Sequence, residues 1–433
     1  MKILLTTFGS LGDLHPYLAL GLALQKRGHE VAIATSPNYR EKIEAEGLKF
    51  HPMRPDFSVF GSPEDWMPKV MDAKKGTEFV IKHMVLPHLT DSYVDLKRAA
   101  IGTDIIIGHP LIYALPIVAD KLNMPWISVM LQPITFFSVY DPPVLPGVPL
   151  LPLFHGAGPK FYRWFYQQAK NRTRPWMEPV QTLREEIGLD KTTLHPLFEG
   201  QYSPLLNLAL FSSVVGERQP DWPQNTEITG FLYFDKAGAN QELDTDLAKF
   251  LDDGEPPIVF TLGSSAVNDP GRFYAESIKA ATKIGARAVL LTGKDGTAGL
   301  GVPLPDGISA FKYAPYSRLF PRAAAIVHQG GVGTTSQALR AGKPQLIMPY
   351  AHDQPDNASR VVKLGVGATL SRAGYNGNRA AAALKKLLQT GDYIQKASDI
   401  GKQIRSEDGA TRACDAIEAV LKIESVHEMA DVA

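Results

Sequence analysis

The chain has 433 residues, a formal net charge of zero, 44% hydrophobic residues and a single cysteine, Cys414. That length exceeds one ordinary core and predicts two domains. The neutral balance offers no global attraction to nucleic acid or to an anionic membrane. One cysteine excludes an intramolecular disulfide and a cysteine-built zinc site, and fits a reducing cytoplasm.

The opening MKILLTTFGS breaks at Gly9 and reads as a strand, not a signal peptide. No stretch reaches the roughly 20 apolar residues of a membrane span. Residues 2–8 predict a buried parallel strand, 9–13 a turn, 14–27 a helix closed by Gly28, and 31–35 a second strand. This β-α-β opening suits a Rossmann-like half. A dehydrogenase would carry G-x-G-x-x-G and an acid closing the second strand. Here the glycines are spaced G-x-x-G and the strand ends Ala34-Thr35-Ser36, so dinucleotide binding is rejected. Asp13 has two readings, an N-cap for the first helix or a general base facing a cleft. His15 is a second base candidate.

Residues 38–45 predict a helix, 48–51 a strand, 52–76 a loop and 77–100 one long helix. A strand at 104–108 ends in His109-Pro110. A strand at 126–130 leads into a Pro-rich loop through Pro152. Phe57, Trp66, Met130, Phe136, Phe137 and Tyr140 are candidates to line an apolar pocket for a bulky ligand. Residues 160–174 mix aromatics with Lys160, Arg163, Lys170, Arg172 and Arg174. They read either as a helix packed over that pocket or as a segment making weak contact with a membrane surface. Residues 176–187 predict a helix, and 207–211 and 227–229 the late strands of a first domain, 1–232. A polar linker, 233–256, follows. Its Asp244-Thr245-Asp246 precedes a helix and reads as capping, so no metal is expected.

A second α/β half, 257–395, starts with a strand at 258–262 and Gly263-Ser264-Ser265. A helix at 273–284 and strands at 288–291 and 308–311 lead to Tyr313-Ala314-Pro315. Residues 376–388 and 393–421 are helical, and 396–433 form the C-terminal helices. Between them lies the most informative stretch, 325–358. A strand ends in His328-Gln329-Gly330-Gly331-Val332-Gly333-Thr334-Thr335-Ser336, a helix runs to about Ala341, and a strand from Gln345 opens into His352-Asp353-Gln354. Glycines let backbone approach an anion, and the helix behind them presents free N–H groups and a positive dipole end. His328, Thr334 and Thr335 are placed to add donors to a diphosphate. Asp353 and Gln354 emerge on the same sheet edge, where ligands of open α/β folds bind. There they would hold sugar hydroxyls.

This stretch resembles the donor-binding segment of the family-one nucleotide-sugar glycosyltransferases of the GT-B fold. It is most similar to the branch of sterol glucosyltransferases, glycopeptide-antibiotic glycosyltransferases and the rhamnolipid rhamnosyltransferase. The resemblance runs over nearly the whole chain. It implies an α/β fold of two Rossmann-like domains, with parallel sheets facing across a cleft and a last helix crossing back to the first domain. It implies inverting, metal-independent transfer of a hexose from a UDP- or dTDP-sugar to a hydroxyl of an apolar polyphenol, sterol or lipid. No cofactor beyond the sugar nucleotide is expected. Asp13 occupies the position of the family's loop base, with His109 in support. Gly12, Ser264, Ser265, Tyr313, His328, Gly330, Gly331, Val332, Gly333, Thr334, Asp353 and Gln354 form the implied donor site. Ser336 stands where plant members carry the ribose-binding Glu, and their base-stacking tryptophan is absent. An epimerase-type enzyme and a silent nucleotide-binding subunit are the alternatives. The sequence leaves open the sugar, the nucleobase, the acceptor, and whether the chain is a monomer or a homodimer.

Overall fold

Two all-parallel sheets organise the chain, seen here in a computed structural model that describes residues 1–148, 151–234, 242–293, 300 and 304–431. Residues 235–241 of the expected linker lie outside the described residues. The first sheet holds β1 (Lys2–Thr6), β2 (Glu30–Thr35), β3 (Lys49–Pro52), β4 (Ile105–Gly108), β5 (Trp126–Met130), β6 (Leu206–Ala209) and β7 (Thr226–Ile228). Their order is β3-β2-β1-β4-β5-β6-β7. The second holds β8 (Ile258–Thr261), β9 (Ala288–Leu291), β10 (Ile308–Phe311), β11 (Ala325–His328), β12 (Gln345–Ile347) and β13 (Gly367–Thr369), in the order β10-β9-β8-β11-β12-β13.

The central strands are unbroken apolar runs. Ile3, Leu4 and Leu5 of β1 and Ile105, Ile106 and Ile107 of β4 are all buried, as sheets covered on both faces require. β1 pairs with β2 on one side and β4 on the other, so the winding reverses between β1 and β4. The second sheet reverses between β8 and β11. Crevices outside the strand ends at such reversals are where ligands of these folds sit.

Several helices differ from the sequence expectation. Pro63–Val70 is helical inside the expected loop. Pro63 takes the first helical position, and Glu64 and Asp65 complement the dipole in the first turn. The expected helix over 77–100 is broken. Gly76–Phe79 gives way to a π turn at Val80–Val85 and a tighter turn at Leu86–His88, before Leu89–Ala100 resumes. Pro87 has no N–H to continue the ladder. The helical stretch near the C-terminus is likewise two helices, Gly391–Arg405 and Gly409–Asp431. The second packs on the Leu11–Lys26 helix. Cys414, Ile417 and Leu421 share a core with Leu14, Leu18 and Leu24, and Arg27 bonds Asp415 and Glu418 at 2.6 and 3.1 Å. Among the described residues no helix is long and apolar enough to cross a membrane.

Candidate active site

The loop after β1 holds Asp13 in a fixed posture. Ser10, not Asp13, is the N-cap of the Leu11–Lys26 helix, and Asp13 is the third helical residue. Its Oδ2 accepts from the Ser10 N–H at 2.7 Å and the Ser10 hydroxyl at 3.1 Å, closing a reciprocal cap. Gly9 sits at φ 136°, and a Cβ there would lie 2.3 Å from Asp13 Oδ2. The other oxygen, Oδ1, faces His109 Nε2 at 4.0 Å. His109 follows β4, so the two residues come from the two strands of the first reversal. His109 Nδ1 accepts the Leu111 N–H at 3.2 Å, and burial holds the ring's pKa down to about 4. The neutral ring therefore carries its proton on Nε2, toward Asp13. Burial raises the Asp13 pKa to about 6 against the pull of the Ser10 bonds.

The second reversal gathers the loops after β8 and β11. Gly330 adopts φ +90°, and a Cβ would meet Ile347 Cγ2 at 2.9 Å and the Gln354 carbonyl at 3.1 Å. Gly331 precedes the helix Val332–Ala341, whose first N–H groups have no partner within the helix. A Cβ on Gly333 would stand 3.9 Å from Gly12 Cα. The first turns of two helices, one from each half, therefore converge on the cleft. Ser264 and Ser265 lie in the short Gly263–Ala266 turn after β8.

Two expectations for this loop need correction. His328 does not present a donor to a ligand. Its Nδ1 accepts the Gly330 N–H at 3.0 Å, and its Nε2 meets Gln345 Oε1 at 2.9 Å. The ring is fully buried, and burial lowers its pKa to about 4. It shapes the loop from beneath. The Thr334 hydroxyl is likewise engaged, by Tyr316, whose own hydroxyl lies 2.9 Å from Thr261 Oγ1. The donors this loop has left to offer are the backbone N–H groups at the start of the Val332–Ala341 helix and the Thr335 hydroxyl, which has no protein partner.

Asp353 opens the helix Gln354–Lys363. Its Oδ2 accepts from Asn357 Nδ2 at 2.6 Å, and the same amide reaches the Gly330 carbonyl at 2.9 Å. Burial, with the Asp13 charge adding to it, raises the Asp353 pKa to about 7. Gln354 Oε1 accepts the Tyr350 N–H at 2.9 Å, which leaves its amide group for a ligand. Sequence reading missed Asn357, although its spacing of four from Asp353 is the signal for a shared helix face. It also missed His352, whose Nδ1 lies 3.1 Å from Thr77 Oγ1 across the cleft.

His15 is not brought to Asp13; two positions apart on a helix, side chains diverge. It lines a cavity of about 120 Å³ with Gly12, Phe234, Tyr313, Gly333 and Ser336. Burial and the Lys42 charge push its pKa down to about 3. The structure separates the apolar candidates into two groups. Phe57 and Trp66 cluster with Phe8, beside the Asp13 loop; Phe8–Phe57 ring centres are 5.5 Å apart and Phe57–Trp66 6.2 Å. Met130 and Phe136 are core side chains, Phe136 stacking on Trp222 at 3.9 Å. Their strand and turn face inward, and nothing of the Met130 side is exposed. Phe137 packs on Phe198 at 4.7 Å, and Tyr140 is exposed.

Known proteins match this chain over both halves. Residues 3–136 match the glycosyltransferase family 28 N-terminal domain. Residues 278–420 match the C-terminal domain of proteins like erythromycin biosynthesis protein CIII. O-mycaminosyltylonolide 6-deoxyallosyltransferase of Streptomyces fradiae is 31% identical over 96% of this chain and 97% of its own length. A sterol 3-beta-glucosyltransferase of Cryptococcus neoformans is also 31% identical over 96% of this chain, which spans 27% of that protein. In fold, the chain matches the calicheamicin glycosyltransferase CalG4 with a TM-score of 0.74 at 18% identity, covering 97% of this chain and 98% of that one. It matches the glycosyltransferase VinC, solved in complex with dTDP, with a TM-score of 0.69 at 21% identity, covering 98% and 100%. The two facing parallel sheets, the loops gathered at their reversals and the full-length identity to a macrolide glycosyltransferase place this chain in the family-one nucleotide-sugar glycosyltransferases of the GT-B fold.

Proposed function

We propose that the protein transfers a hexose from a dTDP- or UDP-sugar to a hydroxyl of an apolar polycyclic or macrocyclic acceptor, with inversion. The observation that carries this reading is Asp13, a carboxylate of raised pKa beside a neutral His109, across from the Gly330–Thr334 loop. A base with a pKa near the working pH is the effective kind. The acceptor O–H gives its proton to Asp13 as its oxygen attacks the anomeric carbon. The bond from that carbon to the diphosphate breaks, and the leaving charge is received by the two converging helix N-termini.

Asp353 and Gln354 would hold the sugar hydroxyls, and Tyr313 and the cavity beside it the nucleoside. Phe8, Phe57 and Trp66 would form the apolar acceptor wall. No metal enters this scheme. Asp244 supports that, because its carboxylate is used by the N–H groups of Asp246 and Leu247 at 2.9 and 3.2 Å. The dTDP named with VinC makes thymidine nucleotides the first donors to try. The test is a thermal-shift screen of dTDP, UDP and GDP and their sugars, followed by turnover on sterol, macrolide and phenolic acceptors. Stabilisation by a nucleoside diphosphate with sugar transfer to one acceptor class supports the reading. Donor hydrolysis independent of any acceptor would overturn it.

A further inference from the structure

Between Asp141 and Glu178 the chain carries no acidic residue and five cations, Lys160, Arg163, Lys170, Arg172 and Arg174. The net charge of zero conceals this segregation. Lys170 is paired with Glu199 at 2.5 Å. The other four form no ion pair among the described residues.

The helix Gly158–Thr173 that carries most of them has two different faces. Tyr162 and Tyr166 point inward, buried against Val139 and Leu151. On the outer side Trp164 is 58% exposed, beside Leu153 at 78% and Phe154 at 48% in the preceding Leu151–Ala157 turn. These residues form one surface. Phe154 stacks on Phe161 at 5.3 Å, and Phe161 meets Trp164 at 6.0 Å. The inner face is thus core, and the outer face is open to solvent.

We propose that this face docks on an anionic lipid surface. Leu153, Phe154 and Trp164 would enter the headgroup boundary, where tryptophan is favoured. Lys160, Arg163, Arg172 and Arg174 would lie against the anionic headgroups. Charge selects this occupant over a second copy of the chain, because a two-fold contact through this face would set cations against cations.

The position also has a use. The loop beneath the patch is tied to the cleft, with Asp141 bonding Arg360 at 2.7 Å and the Val144 N–H bonding Asp356 at 2.9 Å. Asp356 lies three residues beyond Asp353. An acceptor dissolved in a bilayer would thus be presented one loop away from the reaction centre. The docking itself does not depend on which acceptor is used.

Flotation of the full chain with phosphatidylcholine vesicles, with and without phosphatidylserine, tests this. Binding should require the anionic lipid and fall with added salt. Trp164→Ser with Phe154→Ser should weaken it by roughly tenfold. Lys160→Gln with Arg163→Gln should weaken it about 25-fold, since each cation near an anionic surface contributes roughly fivefold. Both pairs alter exposed side chains, and unchanged circular dichroism and nucleotide-induced thermal shift would show that the fold and donor site persist. Absence of flotation with anionic vesicles, equal flotation with neutral ones, or binding indifferent to both pairs would overturn the proposal. Concentration-dependent dimers abolished by Trp164→Ser, without vesicle binding, would instead assign the face to self-association.

Discussion

His109 Nε2 lies 4.0 Å from Asp13 Oδ1, with the imidazole proton fixed on the nitrogen that faces the carboxylate. The separation exceeds a hydrogen bond, and such contacts tighten when substrate closes the site. In the proposed scheme His109 would steady the ionised Asp13 and would not itself take the proton.

The pH profile follows from this pair. As the proposed base Asp13 would act ionised, and burial raises its pKa to about 6. The kcat/KM for transfer should therefore fall as pH drops through about 6. Asp353, raised to about 7, would hold sugar hydroxyls best when ionised in the proposed scheme, and so would widen this limb toward neutrality. A profile of kcat/KM that stays flat from pH 8 to pH 5 would remove Asp13 as the base.

Asp13→Asn keeps the size of the side chain but cannot accept a proton. It should stay folded, bind donor as wild type does and lose roughly 10²–10⁴-fold in turnover. The loss should be smaller on a phenol, with a pKa of about 10, than on an aliphatic alcohol. Comparable, near-wild-type rates on both acceptors would end the assignment.

His328→Ala should act chiefly on stability. Removing the ring strands Gln345 Oε1 and the Gly330 N–H in the core, a cost of about 1–3 kcal/mol for each buried polar group left unpaired. Gln345→Leu in the same background should relieve part of it, and a double-mutant cycle by chemical denaturation should show coupling of about 0.5 kcal/mol or more. Additive effects would mean that the His328–Gln345 contact contributes nothing.

Asp353→Ala should reduce turnover with sugar donors and leave binding of the bare nucleoside diphosphate nearly intact. Asn357→Ala should weaken both, because Asn357 also holds the Gly330 carbonyl at 2.9 Å. Isothermal titration with diphosphate and with sugar nucleotide separates the two patterns. Asp353→Asn has a further consequence. A buried carboxylate whose pKa is raised from 3.8 to about 7 stabilises the fold below pH 4, and this is lost as pH rises through 7. The amide escapes that loss, so the variant should melt roughly 2 °C or more above wild type at pH 8 and gain nothing at pH 4.

Metal dependence is the simplest check. Transfer should survive EDTA, and Asp244→Asn with Asp246→Asn should remain active, since Asn also caps helices. Loss of activity on chelation, restored by Mn²⁺ or Mg²⁺, would contradict the scheme.

The sequence by itself determined the two β-α-β halves, because parallel strands buried on both faces must be written as unbroken apolar runs such as Ile105–Ile107. It also determined the glycine loop after β11, since only glycine tolerates the positive φ and close contacts of Gly330, and it marked Asp13 and Asp353 by their places after strands. Tertiary structure decided what local pattern does not encode. His328 looked like a ligand donor because it ends a strand beside glycines, yet Gln345, on the neighbouring strand, consumes its second nitrogen. Met130 and Phe136 looked like pocket residues because hydrophobicity does not tell a cavity wall from a core. The partnership of Asp13 with His109, 96 residues apart in sequence, exists only because β1 and β4 are neighbours in the sheet. The raised pKa of Asp353 depends on burial and on the Asp13 charge from the other half of the molecule, both of which arise only when the two sheets face each other.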